Sequence, residues 1–265
     1  TGDLIGSYAM GGRKETELAV DAALRAFRGT DWKDDRSLRA RVLNSMAARF
    51  DAHAEPLARI LATEVGKVLP HARFEVGTVP ANLRFNAALA LTDYGRAAET
   101  GTDSLSMVLR QPVGVVGIFA PWNAPIALGL RSLAPALAAG CTATVILPER
   151  TAQVNTLIAE VISGTDELPS GVVNIVTGGR EGIACLVESP HVPMIVCDPQ
   201  AKGNGTACDK PVELLHLYPT IAEWAGLEKP KQLQGVSLRP LLDDPAGAKW
   251  DHAAYSQVTR MQKKQ

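Results

Sequence analysis

The sequence predicts an α/β fold: a doubly wound parallel sheet with a helical N-terminal region before it and an irregular C-terminal tail after it. Three observations carry this. Through the first hundred residues, apolar positions recur at helical spacing. From residue 113, four apolar runs (113–118, 142–147, 172–176 and 192–197) alternate with helical segments, the signature of a parallel sheet. After residue 197 the chain turns polar and rich in Gly, Asn and Lys.

In chain order, residues 15–28 form a helix with Leu18, Ala19, Ala22, Ala23, Ala26 and Phe27 on its apolar face, and Gly29 stops it. Asp34-Asp35-Arg36-Ser37 opens a second helix. Leu38, Val42, Leu43, Met46 and Phe50 keep its inner face, with Arg39, Arg41 and Arg49 off that face. A third helix spans 55–67, with Pro56 in its first turn. A fourth runs from 70 to 95, with Pro80 as a kink point. Residues 104–110 alternate as a strand. The run from Val113 to Ala120 is continuously apolar, as a strand covered on both faces would be. Helix 124–139 ends at Gly140, and Thr142 to Leu147 is a second buried strand. Helix 152–163, strand 172–176, a short helix 182–188 and strand 192–197 complete the alternation. Right-handed crossovers then place the loops after the strand ends along one edge, where ligands bind.

Net charge is −1, which gives no electrostatic reason to bind nucleic acid or an anionic membrane. Apolar stretches are broken by Gly, Pro or Arg before they reach membrane-span length, and Thr1-Gly2-Asp3 does not read as a signal peptide. Cys141, Cys185, Cys197 and Cys208 are scattered without a paired motif. They read as reduced thiols of a cytoplasmic protein, not as a zinc site.

Pro121-Trp122-Asn123 follows the 113–120 strand. Then come Ala134-Pro135-Ala136-Leu137-Ala138-Ala139-Gly140, Glu149-Arg150-Thr151, Gly171-Val172-Val173-Asn174-Ile175-Val176 and Ser189-Pro190-His191-Val192. In this order and spacing, residues 10–195 resemble the aldehyde dehydrogenase superfamily. The wording around Trp122 and the Arg131-to-Cys141 run look most like members that oxidise aromatic aldehydes such as benzaldehyde or salicylaldehyde.

The resemblance implies a Rossmann-like cofactor domain and NAD(P)-dependent oxidation of a small-molecule aldehyde to the acid. It implies a cysteine thiolate as nucleophile and a glutamate-activated water. It assigns Ala120, Pro121, Trp122, Glu149 and Gly178 to cofactor binding, and gives Asn123 the role of donating its amide to the oxyanion. Asn123 could instead simply cap the helix that follows. Glu149 could accept both ribose hydroxyls or be a solvated loop residue beside Arg150.

Three departures from the family pattern stand out. Ile146 occupies the position where the family carries a ribose-binding Lys. Val196-Cys197-Asp198-Pro199 replaces Phe-Thr-Gly-Ser, so a negative charge and a missing N–H stand where the cofactor phosphates would meet a helix N-terminus. No Glu-Leu-Gly-Gly or Gly-Gln-x-Cys motif occurs. Cys197, at a strand end, is then the thiol best placed for nucleophilic attack, although neighbouring Asp198 opposes its ionisation; the alternative is a buried thiol. NAD or NADP should bind weakly. A catalytically inert chimera that keeps the fold, or a non-catalytic binding module, is the rival reading.

Residues 198–257 are similar to the C-terminal part of sulfatases close to iduronate sulfatase, through Leu217-Tyr218-Pro219-Thr220, Trp224-Ala225-Gly226-Leu227 and Leu233-Gln234-Gly235-Val236-Ser237-Leu238. The chain then divides into a dehydrogenase-like part, 1–197, and a sulfatase-like tail, 198–265, without sulfatase activity. His216 and His252 read as surface or satisfied core groups. The tail is expected to cover apolar sheet surface, and the quaternary structure to differ from the family's dimers and tetramers, with self-association open.

Overall fold

The computed structural model describes residues 6–92, 94–192, 201–203, 206–212, 214–224, 226 and 235–252. Four helices come first: α1 (Arg13–Gly29), α2 (Arg36–Ala52), α3 (Ala54–Val65) and α4 (Leu69–Thr92). Asp35 caps α2, accepting from the Leu38 N–H at 2.8 Å, and Gly66 ends α3 at φ +76°, a backbone that suits glycine. Two helix readings need correction. Leu18 lies on the exposed side of α1, where Thr16, Ala19, Val20, Ala23 and Ala26 form the buried face. Arg39 is buried, because its guanidinium terminates another helix.

Helix α4 stops at Thr92, short of the predicted 95. The chain then forms an antiparallel hairpin of β1 (Gly95–Gly101) and β2 (Ser104–Leu109). The first of these strands has no sequence prediction, because every residue of it is exposed and nothing imposes an apolar pattern. Asp103, at φ 61°, makes the turn.

The parallel sheet follows. Strands β3 (Val115–Phe119), β4 (Thr142–Pro148) and β5 (Val173–Gly178) lie side by side in that order. Helix α5 (Pro125–Ala138) connects the first pair and α6 (Ala152–Ser163) the second. Helix α7 (Arg180–Glu188) follows β5. β4 is buried along its length up to Pro148, as a central strand must be. β3 starts two residues later than the apolar run, leaving Val113 half exposed before it, and is only partly covered, with Phe119 about half exposed. Of the fourth run, Val192 is described outside any strand, with its side chain against Gly117; residues 193–197 lie outside the described residues.

Alternation along β4 divides the core. Ala143, Val145 and Leu147 pack with Trp32, Phe50, Leu83, Ile126 and Leu137 against α2, α4, α5 and α6. Ile146 faces the other way, against Ala19, Val20, Val176 and Leu186 of α1, β5 and α7. Helices thus cover both faces of the sheet.

Both crossover helices end on charged side chains from the N-terminal layer. Glu75 of α4 accepts the Ile126 and Ala127 N–H groups at the start of α5, at 3.1 and 3.2 Å, and is paired with Lys67. Arg39 closes the other end, donating Nε to the Ala138 carbonyl at 3.1 Å and Nη1 to those of Trp32 and Lys33. Glu64 of α3 accepts from Gln153 and Val154 at the start of α6, at 2.8 and 2.9 Å. Arg49 donates Nε to the Val161 carbonyl at its end, at 2.8 Å. In each case a carboxylate meets the positive end of the helix dipole and a guanidinium the negative end.

The chain divides into two compact units, Thr1–Pro193 and Met194–Gln265. In the second, a 3-10 turn (Leu214–His216) leads into α8 (Leu217–Trp224), and α9 (Arg239–Asp243) follows. Pro219 sits in the first turn of α8, where no N–H is needed, so it does not interrupt the helix. His216 is buried. Its Nδ1 accepts the Val236 N–H at 3.1 Å, and its ring meets Trp250 edge-on at 5.4 Å. It is a core group, whereas His252 is exposed.

Two outcomes follow from this packing. Arg39→Met leaves three carbonyls, two of them buried, without their donor and lowers stability by about 3 kcal/mol; an unchanged midpoint in urea unfolding would contradict the capping role. At the α3–α4 contact, Arg73 holds Glu55 with two hydrogen bonds, 2.8 and 2.9 Å, and with Arg59 brings its carboxyl from 4.5 down to about 2. Because the folded value is depressed, this contribution is present above pH 4.5 and is lost as the pH falls through about 2. Melting temperature between those pH values falls less steeply in Arg73→Gln than in the parent; parallel profiles would show that the pair does not act on stability.

Candidate functional site

The carboxyl ends of the three parallel strands surround a cleft of about 150 Å³. Ala120 follows β3, Pro148 ends β4 and Gly178 ends β5; all three line it. Ala120 is tied to β4 by its N–H, which donates to the Ile146 carbonyl at 3.1 Å. Trp122 and the Glu149-Arg150 turn form the mouth, and Gly179 and Ile183 the wall toward α7.

Four of the residues assigned to cofactor binding, Ala120, Trp122, Glu149 and Gly178, therefore meet at one cleft although 58 positions separate Ala120 from Gly178. Pro121 is exposed and lies outside the lining. Asn123 is also exposed. The residue that caps α5 is Ala124, with no side-chain hydrogen bond, so Asn123 is not a helix cap. Cys197, Asp198 and Pro199 lie outside the described residues.

The turn after β4 is held from below by a network that sequence reading missed. Asn155, buried on α6, donates Nδ2 to the Pro148 carbonyl at 2.9 Å and to the Thr177 hydroxyl at 3.2 Å. Its Oδ1 accepts from the Thr151 hydroxyl at 2.9 Å. One amide thus fixes the ends of β4 and β5 against each other. An Asn flanked by the core residues Val154 and Ile158 was the available signal, since a buried amide needs partners.

Above this network Glu149 reaches across the cleft to the backbone of Gly179. A Cβ on Gly179 would overlap its carboxylate. Arg150 has its guanidinium 5.8 Å from the centre of the Trp122 ring. Glu149 is thus an exposed acceptor at the mouth of a slot whose far wall is bare backbone. Gly178 has another constraint, because a Cβ there would lie 2.8 Å from the Gly11 carbonyl oxygen. The glycine facing the carboxylate is Gly179, which is also the cap residue of α7.

Ile146 forms the buried floor, so hydrocarbon lies where the family pattern would bring an ammonium group. None of the described cysteines lines the cleft. Cys141 and Cys185 are buried, and burial pushes the Cys185 thiol above its ordinary value; Cys208 is exposed in the second unit. Among the described residues no cluster of His, Cys, Asp and Glu could hold a metal ion, and no helix is long and apolar enough to cross a membrane.

Comparison with known proteins adds independent findings. The family model described as "Aldehyde dehydrogenase family" matches residues 1–197, and that of "N-sulphoglucosamine sulphohydrolase, C-terminal" matches residues 185–264. The chain is 36% identical over 206 residues to the peroxisomal aminoaldehyde dehydrogenase 1 of Malus domestica, covering 74% of this chain and 40% of that protein. Among solved structures it is similar to an NAD-dependent aldehyde dehydrogenase from Sinorhizobium meliloti, with a TM-score of 0.69, 33% identity and coverage of 72% of this chain and 39% of that one. It is also similar to a betaine aldehyde dehydrogenase from Staphylococcus aureus in complex with NAD+, with a TM-score of 0.68, 27% identity and coverage of 72% and 38%. The chain thus spans about two fifths of the length of these relatives.

The geometry separates binding from stability at Gly179. Gly179→Ala places a methyl group against the movable end of Glu149, so stability should change by no more than about 0.5 kcal/mol. If Glu149 accepts a ligand hydroxyl here, displacing it should weaken binding roughly tenfold, about 1.4 kcal/mol. Titration calorimetry giving parental affinity would show that Glu149 does not bind the dinucleotide.

Proposed function

Because this chain belongs to the aldehyde dehydrogenase family, we propose that its cleft holds the adenosine end of NAD(P) and that the protein takes part in oxidising a small aldehyde to the carboxylic acid. The observation that carries this reading is the convergence of Ala120 and Trp122, beyond β3, and Glu149, beyond β4, on one slot walled by Gly178 and Gly179. The residues fit a ribose: Glu149 offers two acceptor oxygens, and the glycine backbone permits close approach. The slot is smaller than the roughly 300–1,000 Å³ of a complete ligand site, which fits one end of a dinucleotide. When bound, the cofactor supplies the hydride acceptor.

In this proposal Asn123, exposed beside Trp122 and free of a capping role, donates its amide to the oxyanion of the tetrahedral intermediate. Cys197 is the nucleophile we assign. Affinity for NAD(P) is weak, because Ile146 makes no polar contact with the ribose, at a cost of about 1–3 kcal/mol. The relatives are named for aminoaldehyde and betaine aldehyde, and an aliphatic aldehyde is therefore tested beside an aromatic one. Support for the aromatic reading rests on Trp122. The Arg131-to-Cys141 run forms the second half of α5 and the link to β4, and lines no part of the cleft. Free Cys141, Cys185 and Cys208 suit the cytoplasmic location we propose.

The second reading, an inert chain that keeps the cofactor-domain fold, is favoured by the lack of any cysteine among the described residues of the cleft. One assay separates the two: reduction of NAD+ and NADP+ by the purified protein with benzaldehyde, salicylaldehyde and betaine aldehyde. The proposal predicts turnover that Cys197→Ala abolishes and that Asn123→Ala lowers by about 10²–10³ in kcat. The dinucleotide Kd should lie above about 1 μM in each protein. Absence of turnover with normal dinucleotide binding would establish the inert reading.

A further inference from the structure

NAD+ and NADP+ differ by one phosphate on the 2′ oxygen of the adenosine ribose, so the groups at the cleft mouth decide between them. Glu149 alone would select NAD+, because its carboxylate accepts a ribose hydroxyl and repels a phosphate in the same place. Arg150 stands beside it and also lines the cleft; among the described lining residues it is the one cation. Both belong to a single 3-10 turn (Glu149–Thr151) directly after β4. The buried end of that turn is fixed, since the Thr151 hydroxyl donates to Asn155 Oδ1 at 2.9 Å and the same amide donates to the Pro148 carbonyl.

From this fixed turn the two side chains go to different walls. The Glu149 carboxylate lies against the backbone of Gly179, at the start of α7. The Arg150 guanidinium lies 5.8 Å from the centre of the Trp122 ring, in the loop after β3. That is within the reach of a cation–π contact, which steadies the cation while its N–H edge stays open to an oxyanion. Phosphate is the anion that a guanidinium fork matches best, with two parallel hydrogen bonds. On the reading of this cleft as a dinucleotide site, we propose that Arg150 is a specificity-determining residue: it holds the 2′-phosphate of NADP+ while Glu149 accepts the neighbouring ribose hydroxyl, so that the chain takes NADP+ at least as well as NAD+. Ile146 gives the floor beneath them no charge of its own, so the choice rests on the mouth.

The test is titration calorimetry of the full chain with NADP+ and with NAD+, without aldehyde. The parent should bind NADP+ at least as tightly as NAD+, and the ratio of the two affinities should move toward NAD+ as salt rises. Arg150→Gln changes an exposed side chain. It should keep the melting temperature and the NAD+ affinity within about twofold, and lose at least tenfold in NADP+ affinity. Arg150→Lys, which keeps the charge but not the fork, should fall between. NADP+ binding more weakly than NAD+ in the parent, parental NADP+ affinity in Arg150→Gln, or an equal loss of both dinucleotides in that variant would overturn the role of Arg150 and leave the cleft a dinucleotide site. Binding of neither dinucleotide to the parent would overturn that reading of the cleft as well.

Discussion

The structure depends on the charged caps that the helical layer places on the ends of α5 and α6. Helix termini leave backbone donors and acceptors without intrahelical partners, and here the capped groups are buried or half-buried. Glu75 and Glu64 take the N-terminal amides, and Arg39 and Arg49 the C-terminal carbonyls. Hydrogen bonds to charged groups contribute about 1.5–3 kcal/mol each, so four such caps rival the net stability of an ordinary domain. They explain why a layer that supplies no residue to the cleft is nevertheless needed for it. Glu75 fixes the chain three residues beyond Asn123, and Glu64 fixes it four residues beyond Glu149. The loops that carry the site are each anchored where their helix begins.

This arrangement also decides where a ligand anion can go. The N-termini of α5 and α6 already hold carboxylates, so their dipoles are neutralised by the chain itself. Helix α7 differs: Gly179, its cap residue, makes no side-chain cap and opens onto the cleft. The exposed carboxylate of Glu149 lies at that end, which suits a hydroxyl-bearing ligand group that can donate to the carboxylate better than a bare phosphate. The polarity of the cleft thus agrees with a ribose at this position, with the buried Ile146 beneath it.

Much of the fold was legible because its strands and helices carry strong periodicity. Thr142 to Leu147 read as a buried strand and is the middle of the sheet, and the helix between Ala152 and Ser163 was placed to the residue. Strand β1 was not legible, since a fully exposed strand needs no apolar pattern; Gly101 and Asp103 were its only signal, as turn residues. The caps were hidden for another reason. Glu75 and Ile126 are 51 positions apart, and Arg39 and Ala138 are 99 apart, so no local pattern links either charge to the helix end it caps. Of the cleft lining, Ala120, Trp122, Glu149 and Gly178 were singled out through resemblance. Asn155 and Gly179 were not, because their roles come from contacts between β4, β5 and α6 that no local pattern encodes.

Through these caps the helical layer and the sheet should unfold as one cooperative unit. Native-state hydrogen exchange on the full chain tests it most directly. The account predicts that the capped amides of Ile126, Ala127, Gln153 and Val154, the interior amides of α2 and α4, and those of β4 open together at the same free energy and denaturant dependence. Opening of α2 and α4 at distinctly lower free energy, with β4 and the capped amides still protected, would contradict it.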